Sequence, residues 1–193
     1  MQTVTINNFG FLIAYLVPGF TALWGISFFS TTVQSWIRVL PSEAPTVGGF
    51  LYVTIGSVAV GLTISTIRWI VIDTIHHWTG ISDPGWNFSK LQKNINAFDR
   101  LIEIHYHYYQ FYSNSIIAIL ICYIARRISL GFWSAPMGWL DFLLAMLVLI
   151  FFAGSRDTLQ KYYNRTTQLL EMETQNPQIK ADANLDSAYD SAS

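Results

Sequence analysis

Two pairs of ionisable residues have spacings that can place a carboxylate and an imidazole on one face of a helix. Asp73 lies three residues before His76, and Glu103 lies four residues before His107. Carboxylate and imidazole groups arranged in this way are typical ligands of a transition metal in a helical bundle. A metal held by Asp73, His76, Glu103 and His107 would support a membrane-embedded enzyme acting on a lipid or a quinone-like substrate.

The remainder of the usual metal-binding pattern is missing. Di-metal bundles normally repeat a Glu-x-x-His pair on two helices and add glutamates from two others, and the sequence does not contain that set. A phosphate-binding glycine loop, a nucleophile elbow and paired cysteines are also missing, since Cys122 is the single cysteine. A structural hydrogen-bond network without a cofactor is therefore the main interpretation of these residues. The net charge of -1 argues against nucleic acid as a partner.

A stripe of polar residues runs along one segment of the chain. Its members recur three or four residues apart: Asp99, Glu103, His107, Gln110 and Asn114. At about 100° per residue they fall within an arc of roughly 80° on a helix. A polar group in hydrocarbon costs free energy unless it is paired, so we expect this polar stripe to face protein or water.

An earlier segment offers a surface that matches the polar stripe. Ser57, Gly61 and Ser65 form a ridge of small residues, which lets two helices approach closely, and Arg68 follows on the same face. The two segments run in opposite directions, and this brings Arg68 close to the depth of His107 and about one helical turn from Glu103. We therefore expect the ridge to pack against the stripe and Arg68 to form an ion pair with Glu103.

These surfaces lie within long apolar segments. Of the 193 residues, 52% are hydrophobic and 12% are charged, whereas about 25% are charged in an ordinary soluble domain. Four segments approach the roughly 20 apolar residues that a membrane-spanning helix needs. We place these spans at residues 9–30, 49–70, 106–126 and 138–155, within a transmembrane domain of residues 1–157.

Pro18 and Gly19 predict a kink near the middle of the first span. Proline has no backbone N–H, so it leaves the carbonyl one turn earlier without its helical partner. In a bilayer such a kink is tolerated where a neighbouring helix or side chain satisfies the freed carbonyl.

Two further segments are amphipathic. Residues 87–104 either lie flat in the membrane interface or begin one helix that covers residues 89–127. Residues 158–175 predict a cytoplasmic helix, and residues 176–193 have a composition that predicts a disordered tail. The cytoplasmic helix has an apolar edge, which predicts contact with a neighbouring subunit, the interface or a soluble cytoplasmic protein: Leu159, Tyr162, Tyr163, Thr166, Leu169 and Leu170.

The distribution of Lys and Arg predicts the orientation. With both termini in the cytoplasm, eight basic residues lie inside and three lie outside, as the positive-inside rule requires. Arg126 and Arg127 are two of the outer three. Asp141 begins the last span, where it either neutralises Arg126 or Arg127 or lies at the outer mouth of a polar path.

Three stretches resemble small bacterial inner-membrane proteins that have four predicted spans and no assigned activity. They are the residues around Leu16, Pro18, Gly19 and Phe20, the run from His107 to Tyr112, and the stretch from Arg156 to Tyr163. The resemblance implies a bacterial inner membrane as the location.

The sequence thus predicts an all-α fold, an integral membrane four-helix bundle with a cytoplasmic C-terminal amphipathic helix. The main functional interpretation is a non-enzymatic, homo-oligomeric membrane component that acts as a sensor, a scaffold or a pore. In that interpretation the polar stripe lines subunit contacts or a pore, and the cytoplasmic helix docks a partner. The alternative is the metal-dependent enzyme described above.

Overall fold

The structure is a computed structural model that describes residues 6–37, 47–86, 95–132 and 136–190, and for residues 6–9, 11 and 172–190 it describes the backbone alone. Five helices make up the described part of the chain: α1, Ile6–Ile26; α2, Thr31–Ile37; α3, Val47–Trp78; α4, Ile95–Ser129; and α5, Trp139–Asp190. The described part contains no strand, which agrees with the predicted all-α class.

Three helices are long and apolar enough to cross a membrane: Val47–Trp78, Ile95–Ser129 and Trp139–Glu171. They contain the predicted spans 49–70 and 106–126, and all of the predicted span 138–155 except Gly138. The first segment differs from its predicted bounds of 9–30, because α1 ends at Ile26 and residues 27–29 turn toward α2. Within the residues whose side chains are described, its apolar stretch is Leu12–Ile26.

Helix α1 packs between α3 and α4 and touches both backbones. Against α3, a Cβ added to Gly19 would lie 1.8 Å from the carbonyl oxygen of Ser57, and a Cβ added to Gly61 would lie 2.2 Å from that of Tyr15. Only glycine leaves room for such an approach. Since Gly19 meets Ser57 while the earlier Tyr15 meets the later Gly61, α1 and α3 run in opposite directions.

The same helix approaches α4 through other glycines. A Cβ on Gly10 would lie 3.2 Å from Nδ1 of His107, and one on Gly25 would lie 2.8 Å from Cα of Cys122. Because both residue numbers rise together, α1 runs parallel to α4. The small-residue ridge predicted on α3 is therefore used at Ser57 and Gly61, but against α1, whereas the sequence predicted α4 as its partner.

Helices α4 and α5 are antiparallel neighbours. Arg126 of α4 meets Asp141 of α5 at one end, and His105 meets Arg165 at the other. The apolar core lies between the helices and includes Ala22, Ile64, Ile72, Ile116, Ile117 and Ala118. Large apolar side chains such as Phe50, Phe142 and Leu149 point outward and are exposed, as expected for surfaces that contact lipid.

Each of α3 and α4 contains one π-helical turn, at Trp69–Asp73 and Ile102–Tyr106. A π turn closes i→i+5 hydrogen bonds, so it adds one residue to the turn and rotates the following segment by about 100° relative to a regular α-helix. The helix otherwise continues, and α4 is one helix from Ile95 to Ser129. This agrees with the continuous alternative for residues 95–127, while residues 87–94 lie outside the described residues.

Helix α5 is much longer than the sequence predicted. It joins the predicted span 138–155 to the predicted cytoplasmic helix 158–175 and then continues to Asp190. Its last part includes residues 176–190, for which composition predicted disorder. A helix that has already formed gains one hydrogen bond for each residue with an N–H that it adds, which favours its continuation, although Pro177 adds none.

Candidate functional site

Asn114 replaces a hydrogen bond that Pro18 removes from α1. Residue 18 has no N–H for the carbonyl of Ala14, four residues earlier. The side-chain nitrogen Nδ2 of Asn114 donates to that carbonyl oxygen at 2.9 Å, and both Asn114 and Ala14 are completely buried. A side chain of α4 thus satisfies the freed carbonyl of α1, as the sequence required.

The adjacent part of the polar stripe also faces α1. Nε2 of Gln110 donates to the hydroxyl of Tyr15 at 3.0 Å, and His107 lies beside Gly10. The sequence predicted that this stripe would face the small-residue ridge of α3, and that prediction is wrong for these residues. The stripe is closed off from the surface here, because Gln110 and Asn114 are buried within the chain.

The π turn of α4 divides the predicted polar stripe. Asp99 lies before the turn and is exposed, and Glu103 lies inside it and is half-buried. The arc of roughly 80° was calculated for an uninterrupted α-helix, so it does not hold across residues 102–106. The five residues therefore do not form one continuous surface.

The two π turns lie beside a cluster of three side chains, Arg68, Asp73 and Tyr109, which we call the π-turn cluster. The hydroxyl of Tyr109 donates to Oδ1 of Asp73. Nη1 of Arg68 lies 3.9 Å from the same oxygen, and the guanidinium carbon lies 5.1 Å from the centre of the Tyr109 ring. The side chain of Arg68 is 5% exposed and that of Asp73 is 31% exposed, so the cluster joins a buried cation to a carboxylate that reaches the surface.

The partner predicted for Arg68 is wrong. Among the described residues its ion pair is with Asp73, five residues later on the same helix, and not with Glu103. The π turn between them explains the difference, because i→i+5 hydrogen bonding brings residue 73 over residue 68. Sequence periodicity did not identify Asp73 or Tyr109 as partners of Arg68.

A second buried contact joins α3 to α5. Nε2 of His76 lies 3.0 Å from Oγ of Ser155, and both residues are completely buried. The Ser155 hydroxyl also donates to the carbonyl of Phe152 at 2.9 Å, an arrangement in which Nε2 of His76 carries the proton of the His76–Ser155 hydrogen bond. The His76 ring also stacks on Phe152, with ring centres 5.2 Å apart.

This pair does not have the arrangement of an activated nucleophile. A catalytic serine gives its proton to histidine, whereas here the histidine donates and the serine accepts. Both side chains are also shut off from substrate by burial. The contact therefore holds α3 against α5.

The four predicted metal ligands are not brought together. Asp73 belongs to the π-turn cluster, His76 contacts Ser155, and His107 lies beside α1. Within the described ranges, no group of three or more His, Cys, Asp or Glu residues is placed to hold a metal ion. The spacing of Asp73 with His76 and of Glu103 with His107 was compatible with two half-sites, but the helices do not join them.

A cavity of about 490 Å³ lies beside the π-turn cluster. Its wall combines the end of α3, the linker that follows α3 and the middle of α5. The lining residues are Trp69, Ile70, Asp73, Thr74, His77, Ile81, Asp83, Leu159 and Tyr163. No sequence pattern predicted this cavity, because its parts come from three separate segments.

The linker after α3 is held against α5. Nη2 of Arg156 donates to the carbonyl of Thr79 at 2.8 Å, and a cation at a helix C-terminus is favoured by the helix dipole. Nε1 of Trp86 donates to the hydroxyl of Thr167 at 3.0 Å. The Trp86 ring packs edge-on against Tyr162.

The apolar edge predicted on the cytoplasmic helix is mostly covered by this chain. Leu159, Tyr162, Thr166 and Leu170 are buried, and Tyr163 lies in the wall of the cavity. The sequence predicted an exposed edge for another subunit, the interface or a soluble partner. The linker after α3 and the first turns of α4 pack three rings against Tyr162, those of Trp86, Phe98 and Tyr106.

The charged residues at the opposite end have structural partners. Nη1 of Arg126 lies 3.5 Å from Oδ1 of Asp141, the ion pair that the sequence suggested. Oδ2 of Asp141 accepts the N–H of Gly138 at 2.6 Å, as an acidic residue in the first turn of a helix commonly does. Nη2 of Arg127 donates to the carbonyl of Phe132 at 2.8 Å. These three charges therefore build the α4–α5 connection.

Comparison with family models, curated proteins and solved structures gave no match to this chain. The resemblance to small bacterial inner-membrane proteins therefore stays a prediction. The same is true of the homo-oligomer and of a soluble cytoplasmic partner.

Proposed function

We propose that this chain is a non-enzymatic integral membrane protein with four spans, both termini in the cytoplasm, and a sensor cavity at the cytoplasmic end. The observation that carries the proposal is the position of the cavity. It touches Asp73 on α3, which is long and apolar enough to cross a membrane. It also touches Tyr163 on α5, the helix that continues to Asp190. A ligand there would contact the spanning and the cytoplasmic parts at once.

Counting α1 as the fourth span is supported by its neighbours. It runs beside α4 from the level of His107 to that of Cys122, which lies within the apolar part of α4. Its 21 residues correspond to about 31 Å, close to the thickness of the hydrocarbon core. The side-chain hydrogen bond from Asn114 also supplies what a kinked helix needs in lipid.

A continuous set of contacts supports a sensor role. Asp73 accepts the hydrogen bond of Tyr109, whose ring centre lies 5.9 Å from that of Tyr106. Tyr106 lies 5.2 Å from Tyr162 on α5, and Tyr162 packs on Trp86. A change at Asp73 therefore has a physical route to the cytoplasmic part of α5.

A pore and an enzyme receive less support. Gln110 and Asn114 are buried against α1, where a pore-lining stripe would meet water. The Ser155–His76 contact is completely buried and so is closed to a substrate, and the predicted ligands of a metal lie on separate contacts.

The coupling is tested by amide hydrogen exchange on the full-length protein in lipid nanodiscs. Asp73→Asn removes the charge beside Arg68 and weakens the acceptor of Tyr109. We expect exchange of residues 159–170 to become about tenfold faster, since an opening free energy lower by ~1.4 kcal/mol gives that factor. Exchange in the apolar part of α5, residues 142–150, should stay the same.

Asp157→Asn is the matched control, because Asp157 is an exposed carboxylate on α5 that pairs with Lys161. It should leave the exchange of residues 159–170 within about twofold of the parent, the expected size for an exposed ion pair. Unchanged exchange in Asp73→Asn, or an equal effect of both variants, would contradict the sensor role.

A further inference from the structure

The cavity beside the π-turn cluster is polar on one side and apolar on the other. Asp73, Thr74, His77 and Asp83 supply hydrogen-bonding groups, whereas Trp69, Ile70, Ile81, Leu159 and Tyr163 supply apolar and aromatic surface. A volume of about 490 Å³ falls within the usual range for a small-molecule site. Such a mixed wall suits an amphiphile better than a wholly polar or wholly apolar ligand.

The charge of the lining favours a cation. Among the described residues, the lining contains the carboxylates of Asp73 and Asp83 and no Lys or Arg. Arg68 lies behind Asp73 and is buried, so it offsets one carboxylate without presenting its guanidinium as part of the wall. The aromatic faces of Trp69 and Tyr163 add a further preference for a positive group.

The hydrogen-bonding groups favour an ammonium that carries protons. Both contacts of Asp73 within the described residues use Oδ1, so its other oxygen can accept from a ligand. Oδ1 of Asp83 accepts the N–H of Gly85 at 3.1 Å, and its second oxygen is likewise an acceptor. Thr74 gives its proton to the carbonyl of Ile70 at 2.6 Å, so its hydroxyl oxygen is left as an acceptor in the cavity wall.

The apolar side of the cavity continues onto the outer surface of α3. Trp69 is 67% exposed and Ile70 is 59% exposed, on a helix that is apolar enough to lie in a membrane. We propose that the cavity binds the primary ammonium headgroup of a membrane lipid, with the lipid chains lying along Trp69 and Ile70. This inference rests on the proposed function, because it requires α3 to be surrounded by lipid.

The test is native mass spectrometry of the full-length protein titrated with two lipids of identical chains, phosphatidylethanolamine and phosphatidylcholine. The first carries a primary ammonium, and the second carries a quaternary one without N–H donors. We expect the ethanolamine lipid to bind about tenfold more tightly. We also expect Asp83→Asn to abolish this difference by weakening the ethanolamine lipid alone, while Asp157→Asn, outside the cavity, keeps it.

Equal binding of the two lipids would overturn the proposal, and so would a difference that survives Asp83→Asn. Competition with free phosphoethanolamine distinguishes a lipid site from a site for a soluble amine. Displacement of the lipid by an equal concentration of this compound would show a soluble-ligand site and would also overturn the proposal. If lipid selectivity fails while Asp73→Asn still alters exchange in α5, the ligand class is wrong and the sensor role stands.

Discussion

At the level of single residues, Asn114 supplies the hydrogen bond that Pro18 removes. If Asn114 serves to satisfy the carbonyl that Pro18 frees, its contribution to stability depends on the proline. We expect Asn114→Leu to lower the free energy of unfolding by about 1–2 kcal/mol, the range for a hydrogen bond between membrane helices. The measurement is reversible unfolding of the purified protein in mixed detergent micelles.

The control for this residue is a double-mutant cycle with Pro18→Ala, which returns an N–H to residue 18. The cost of Asn114→Leu should then shrink to near zero, because the carbonyl of Ala14 has its helical partner again. An equal cost of Asn114→Leu in both backgrounds would mean that Asn114 acts through packing alone.

Tyr109 contributes a hydroxyl to Asp73 and a ring face to Arg68. Tyr109→Phe removes only the hydroxyl, and we expect a loss of about 2 kcal/mol in the free energy of unfolding, as for a hydrogen bond to a charged group. Tyr112→Phe is the matched control, since its ring packs on Phe151 and its hydroxyl makes no hydrogen bond in the described part of the chain. Equal unfolding midpoints for the two variants would show that the Tyr109–Asp73 bond is not a stabilising contact.

At the scale of elements, glycines set the spacing of α1 and α3. A methyl group at Gly19 or Gly61 would overlap a backbone oxygen of the facing helix, and a backbone cannot rotate away as a side chain can. We expect Gly19→Ala and Gly61→Ala each to cost about 3 kcal/mol or more through separation of the helices. The loss is measured as a lower unfolding temperature, with size-exclusion chromatography reporting the fraction of protein that stays folded after heating.

Gly48→Ala provides the matched control for the two glycine variants. A Cβ at residue 48 meets nothing within 4 Å, and alanine has the higher helix propensity. This variant should be as stable as the parent or slightly more stable. A loss for Gly48→Ala equal to that for Gly61→Ala would contradict a specific α1–α3 contact.

At this scale, helical periodicity predicted which residues share a helix face better than it predicted which helix that face contacts. It identified the small-residue ridge at Ser57 and Gly61, and composition alone identified the apolar segments. It failed for the partner of Arg68 and for the continuity of the polar stripe because both cross a π turn, and neither Trp69–Asp73 nor Ile102–Tyr106 contains proline or glycine to mark it. Which helices are neighbours is a tertiary property that periodicity does not contain.

At the scale of the whole molecule, the sequence predicted an all-helical chain whose apolar segments are compatible with a membrane. It did not predict the cavity beside the π-turn cluster, since Asp73, Asp83 and Tyr163 come from α3, the linker and α5 and carry no common spacing. It also did not predict that the apolar edge of α5 is covered, because the covering residues lie more than fifty positions away, as Trp86 and Thr167 do. Local patterns therefore predicted the elements, while the candidate site depended on their assembly.

The arrangement of the spans is the central claim, and cysteine accessibility tests it most directly. In a Cys122→Ser background, single cysteines would be placed at three exposed positions, Thr31, Ser82 and Met137, and treated with a membrane-impermeant maleimide in sealed vesicles of known orientation. We expect Thr31→Cys and Met137→Cys to react only from the outer side and Ser82→Cys only from the cytoplasmic side. Reaction of Ser82→Cys from the same side as Met137→Cys, or of Thr31→Cys from the opposite side to Met137→Cys, would contradict the proposed arrangement.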